Sequence, residues 1–259
     1  MDATAAGAKL VLGNRFFERD PGKAASALAR LGAYIARMAA LDRFARIVIA
    51  VNVAQDRSGA VDYLRQLNLP QVLALEVQPW GRFMPALDAV LRVACEEGAQ
   101  GLLFASTEVW LDAAAVDCLR AQVDATTLVA GLCLEGHDFA PGRHACTGSR
   151  SPWNTAALWR IPNGLDRIGF PALGEAWFSP DAEQAGMEEV GAIAVLQSLY
   201  GDCDARLVAM APGHYGWDTA ASSQPRQVAA KIASKNARAA AQCLHAQVAP
   251  GRVLHLRCP

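Results

Sequence analysis

Apolar residues recur at two different spacings along this chain. From Ala24 to Phe44, Leu28, Leu31, Ile35, Met38 and Leu41 fall three or four apart, which predicts an amphipathic helix. Arg46 to Val53 (RIVIAVNV) is a short β-branched run, as expected of a first strand covered on both faces. The loop Gln55-Asp56-Arg57-Ser58-Gly59 follows, then a short helix from Ala60 to Leu67 and a second strand from Gln71 to Val77. Pro79-Trp80-Gly81-Arg82 turns the chain into a helix from Met84 to Glu97, and Leu102 to Ala105 supplies a third buried strand. A helix from Asp112 to Val123 and a fourth strand from Thr126 to Leu134 come next. Farther on, Glu188 to Tyr200 reads as a helix, Ala205 to Ala211 as a strand and Arg226 to Val248 as a helical tail. Residues 1 to 23 and the Gly-, Pro-, His- and Arg-dense loop from Glu135 to Pro152 carry no such rhythm.

Strands alternating with helices predict an α/β fold with a mostly parallel central sheet flanked by helices, and a more irregular C-terminal half. No internal repeat or disordered linker interrupts the chain, so residues 1–259 read as one domain. Within it, 46–134 form the regular half, 135–217 the irregular half and 218–259 a C-terminal helical tail.

Composition narrows the function. With 53% hydrophobic and 19% charged residues the chain can bury a large core. A formal net charge of -1 gives no general attraction to nucleic acid. No apolar run is long enough to span a membrane. Seven scattered cysteines without a Cys-x-x-Cys pair argue against a disulfide framework or a structural zinc site. The expected address is the cytoplasm, with attachment to a membrane surface left open. No G-x-G-x-x-G, Walker loop, H-E-x-x-H or G-x-S-x-G is present, which lowers the dinucleotide dehydrogenases, P-loop NTPases, zincins and α/β-hydrolases together.

In open α/β sheets, ligands bind outside the carboxyl ends of the strands. Ser106-Thr107-Glu108 stands at that end of the third strand, although Ser, Thr and Asp over 106 to 112 also suit a helix cap. Gly81 to Asp88 opens the preceding helix, Ile168-Gly169-Phe170 lies beyond, and Gly186-Met187-Glu188-Glu189 starts a later helix. This order resembles the GT-A glycosyltransferases, nearest the family-2-like, mostly inverting group, over roughly Arg46 to Trp217.

The resemblance implies a nucleoside-diphosphate sugar donor, bound near Asp56, Asp88, Ser106, Thr107 and Glu108. It also implies a hydroxyl acceptor (glycan, lipid or small molecule), with Trp153, Asn154 and Trp159 as its contacts. A divalent ion, Mn2+ or Mg2+, would be held by Glu108 and His214, and Glu189, with Glu188 as second candidate, would be the general base. The family's D-x-D is here Ser106-Thr107-Glu108, one charge short, which weakens the case for metal. Two acids at a helix start also have a plain explanation in the helix dipole. Trp177, His137, His144 and Arg143 crowd the irregular half, and Lys231, Lys235 and Arg238 read as a solvated helix side.

Two rival readings stay open. One is a catalytically silent relative that binds a nucleotide sugar or a partner. The other is a sugar-phosphate nucleotidyltransferase, which carries a Gly-rich, Arg/Lys-bearing loop directly after its first strand. With Arg46 to Val53 as first strand, that loop is Ala54 to Gly59 and has too few glycines.

Overall fold

The computed structural model describes residues 9–18, 20–56, 58–81, 84–172, 186–218 and 225–258. Its first strand is one the apolar pattern does not disclose, β1 (Leu10–Phe16). There follow α1 (Ala24–Ala40), β2 (Arg46–Asn52), α2 (Ala60–Gln66), β3 (Val72–Val77), α3 (Met84–Glu96), β4 (Gly101–Ala105) and β5 (Val109–Leu111). Next come α4 (Ala113–Ala121), β6 (Thr127–Leu132), β7 (Gly142–Ala145), β8 (Ala156–Arg160) and the short α5 (Asp166–Ile168). The last elements are α6 (Glu188–Tyr200), β9 (Asp204–Ala209), β10 (Tyr215–Trp217), α7 (Pro225–Ala246) and β11 (Arg252–Arg257).

Among the described residues nine strands form one sheet in the order β3-β2-β1-β4-β8-β6-β9-β11-β7, and β5 and β10 make a separate ribbon. β1, β2, β3 and β4 run parallel, β8 is antiparallel to both its neighbours, and β6, β9 and β11 are again parallel. This is a Rossmann-like α/β sheet. The expected first strand is thus the second, and the chain grows outward from β1 to β3 before crossing back to β4. That reversal between β1 and β4 is the topological switch point of the sheet. The expected helical tail also needs correction, since it ends in a strand, β11, seated between β9 and β7.

The helices bury the faces that their spacing predicts. Leu31, Tyr34, Ile35 and Met38 of α1 are essentially inaccessible, as are Leu87, Val90 and Ala94 of α3. Each such large side chain contributes roughly 1.5–3 kcal/mol by leaving water. α6 is different: residues all round it are buried, so it is a core helix between the sheet and α7. Gln242 of α7, fully buried, ties the two helices by accepting from Met187 N and donating to Met187 O.

Candidate functional site

At the switch point three neighbouring strands present polar side chains. Asn14 of β1 is 3% exposed and donates from Nδ2 to Ala105 O at 2.6 Å. A carbonyl only accepts, so the amide nitrogen is fixed there and Oδ1 is left over. Ser106, one residue past β4, keeps its backbone N–H on Thr155 O, while its Oγ is buried without a partner. Asn154, just before β8, accepts from the Trp159 indole N–H at 2.7 Å, which leaves its Nδ2 buried and unpartnered. Buried polar atoms without partners are rare, and each asks for an explanation such as a bound molecule. Tyr34 closes the floor of this row, donating to the same Ala105 carbonyl at 3.0 Å. Burial pushes its phenol far up, and the negative charge of Glu108 acts in the same direction.

Glu108 ends the turn from β4, and its carbonyl accepts from Asp218 N at 2.9 Å, so Asp218 stands across from it. His214 is at the far end of the same ribbon, its carbonyl bonded to Asp112 N. Four residues separate the two ends, about 13 Å along a strand. The expected pairing of Glu108 with His214 around one ion therefore fails on register. The imidazole is instead held by Asp112, Nδ1 to Oδ2 at 2.8 Å. Among the described residues no group of three or more His, Cys, Asp or Glu side chains gathers as for an ion. Two carboxylates, Glu108 and Asp218, fit a cation that completes its shell with a substrate's phosphates, and not one held by protein alone.

On the other side of the crevice, charges from three elements meet. Arg15, next to Asn14 on β1, lies 3.6 Å from Glu188 at the start of α6. Glu189 is 2% exposed and faces Lys235 of α7 at 3.9 Å. Its burial, reinforced by the neighbouring charge of Glu188, pushes its carboxyl up to about 7. Lys235 also stands 3.8 Å over the Trp153 ring, against which His137 stacks at 3.6 Å between centroids. Arg238 donates to Gly186 O. The basic side of α7 is thus turned inward at Lys235 and Arg238 and is not a solvated face.

Several expected contacts take structural roles. Asp56 accepts from Ser58 N and Oγ, Ala60 N and Val61 N, capping α2. These bonds hold its carboxyl below the usual range even though partial burial acts the other way. Asp88 accepts from Phe170 N at 2.8 Å and so fixes the Gly169-Phe170 segment against α3. Trp153 and Trp159 are 1% and 0% exposed, so neither offers an open face to an acceptor ring. Thr107 is half-buried in the turn between β4 and β5. Trp177 and the side chain of Lys231 lie outside the described residues. The residues that sequence reasoning missed are Asn14, Arg15 and Asp218. The first two sit on the strand it did not find, and only the order of the sheet marks them.

No family model and no curated protein matches the chain. Among solved structures, it is similar to a cytidylyltransferase from Leptospira borgpetersenii (13% identity, 62% of this chain and 63% of that one, TM-score 0.40). It is similar to a structure described as a mannose-1-phosphate geranyltransferase from Thermus thermophilus (18% identity, 59% and 55%, TM-score 0.38). A third is a 4-diphosphocytidyl-2C-methyl-D-erythritolsynthase from Anaerococcus prevotii (10% identity, 92% and 98%, TM-score 0.47). The match thus spans less than two thirds of the first two of these chains. The expectation of a glycosyltransferase does not stand. None of the three is described as one, and Glu189, its expected base, is buried against Lys235 out of reach of an acceptor hydroxyl.

Proposed function

We propose that the crevice between β1 and β4 binds a nucleoside triphosphate and that the protein is a nucleotidyltransferase acting on a sugar phosphate or a similar phosphate acceptor. The observation that carries this reading is the pair of unpartnered buried oxygens, Asn14 Oδ1 and Ser106 Oγ, on adjacent parallel strands where the strand order reverses. With β1 as the first strand, the diagnostic loop is no longer Ala54 to Gly59. It becomes Phe17 to Lys23, which carries Gly22, Lys23 and, in sequence, Arg19, and which leads directly into α1. It bears the cations Arg19 and Lys23, but Glu18 and Asp20 balance them, and it is not rich in glycine.

In this reaction an oxygen of the acceptor's phosphate attacks the α-phosphorus. The bond from that phosphorus to the β-phosphate oxygen breaks, and pyrophosphate leaves with the electron pair. Arg15 of β1 and Lys23, in the loop that follows it, would hold the phosphates in line. Glu108 and Asp218 would hold a divalent cation such as Mg2+, which offsets charge on the departing pyrophosphate. Asn14 and Ser106 would orient the nucleoside by hydrogen bonds.

Melting curves with nucleoside triphosphates, diphosphates and nucleotide sugars, each with and without Mg2+, test the binding, because a ligand of the folded state raises Tm by mass action. Expected are a shift with one triphosphate, an Mg2+ increment lost in Glu108→Gln, and pyrophosphate release when sugar phosphates are added. No shift with any nucleotide would overturn the reading. A shift without pyrophosphate release across the acceptor panel would favour the silent binder, which the single missing acid at Ser106 suggests.

A further inference from the structure

The ribbon of β5 and β10 has one face packed inward and one face turned out. Val109 and Leu111 are buried. Their partners Trp217 and Tyr215 point the same way: Tyr215 donates from its hydroxyl to Cys133 O, and Trp217 meets the Trp153 ring edge-on. Alternation along a strand therefore turns Trp110 and Gly216, which are opposite each other, to the outer side. Asp112 and His214 face the same way one step farther along, about 7 Å away.

Trp110 is 37% exposed. A Cβ on Gly216 would come within 2.3 Å of its Nε1, so the indole occupies the space that a side chain at 216 would fill. Beside it, Asp112 uses both carboxylate oxygens. Oδ1 accepts from Ala115 N as the cap of α4, and Oδ2 takes His214 Nδ1 at 2.8 Å. Because α4 fixes Asp112, the imidazole is fixed as well, with its Nε2 edge turned away from the carboxylate. An aromatic plate is thus set on a bare backbone next to an oriented hydrogen-bonding pair.

We infer that this face binds a neutral sugar ring, a pyranose whose C–H face rests on Trp110 and whose hydroxyls bond to the Asp112–His214 pair. An indole supplies a wide, rigid apolar surface at small entropic cost. A hydroxyl can donate to the carboxylate or to the imidazole Nε2 lone pair, so the pair suits polyols. Charge argues for the same occupant. The Asp112 carboxylate beside Trp110 puts a negative charge next to the indole, which disfavours a phosphate placed on it. This site goes beyond the nucleotide reading of the crevice and does not depend on it.

Saturation-transfer NMR with methyl α-mannopyranoside and methyl β-glucopyranoside, and with cytidine as a flat aromatic control, tests the inference. Expected is transfer to the ring protons of at least one pyranoside, about five- to tenfold weaker binding in Trp110→Ala, and partial retention in Trp110→Phe. Asp112→Asn, which keeps a capping side chain, should weaken binding without lowering the melting temperature by more than a degree or so. No transfer to either pyranoside, pyranoside transfer that survives Trp110→Ala, or equal transfer to cytidine that is likewise lost in Trp110→Ala would each overturn the inference. Melting of each variant alone checks its fold. The nucleotide-dependent Tm shift is read in the same samples, and its absence counts against the crevice reading only.

Discussion

The ammonium of Lys235 stands 3.8 Å from the centre of the Trp153 ring. The same group lies 3.9 Å from the buried Glu189 carboxylate, so one side chain of α7 both covers an indole and neutralises the first turn of α6. Removing one partner of a buried ion pair leaves the other uncompensated, which costs more than the pair itself contributes. Lys235→Met should therefore lower the unfolding free energy by about 3 kcal/mol in urea titrations at a pH above about 7, where Glu189 is ionised. The double variant Lys235→Met/Glu189→Gln should recover most of that loss. A double variant no more stable than Lys235→Met alone would show that Glu189 is not what the lysine serves.

Two buried groups at this junction give pH dependences of opposite sign. The Glu189 carboxyl is pushed up to about 7 from 4.5, so the folded state holds its proton over that window while the unfolded chain releases it. Its contribution favours folding in acid and is lost as pH rises through about 7. His137 is drawn down to about 4 from 6.5, chiefly by burial, so it stays neutral when folded. Its contribution is complete above 6.5 and is lost as pH falls toward 4. Urea titrations across pH 4 to 8 should show the first slope vanish in Glu189→Gln and the second in His137→Gln.

Asp56 should prove a cap. Asp56→Ala removes the acceptor for three backbone N–H groups of the α2 start and is expected to cost about 1 kcal/mol. The nucleotide-dependent Tm shift should be unchanged. A lost shift with an unchanged unfolding free energy would return Asp56 to the binding site.

Gly148 is where the long loop touches α7. A Cβ there would sit 2.2 Å from the backbone carbon and oxygen of Lys235, and neither can move without the helix. Gly148→Ala should cost about 1–3 kcal/mol. It should also weaken the hydrogen bond from Ser149 N to Asn236 Oδ1, now 2.8 Å, which faster amide exchange at Ser149 would report.

Much of the framework was legible because period and burial agree. α1, α3 and α6 and strands β2, β4, β6 and β9 lie within a few residues of where their apolar spacing puts them. β1 was not legible because Gly13-Asn14-Arg15 breaks its apolar run, and the interruption falls at the carboxyl end of the strand, where the proposed ligand would lie. β7 (GRHA) has no apolar signature at all, and β11 (RVLHLR) hides a buried histidine among its apolar positions. Missing β1 displaced the loop that separates the nucleotidyltransferase reading from its rivals. Glu108 was legible by its place after a buried run, whereas Asp218 needs the ribbon register before it can be connected to that place.

The seat of β11 governs how the sheet can close during synthesis. β7 has a single ladder partner, and that partner is β11, roughly a hundred residues later in the chain. While the ribosome is still adding α7, the backbone of β7 has nothing to pair with, and the flank of β9 that will receive β11 is an open edge able to capture other chains. The half built on β1 to β4 can assemble early from near neighbours, but the far half waits on the last strand. A protein halted before Arg252 would thus be exposed to aggregation through β9 however well the crevice between β1 and β4 had formed.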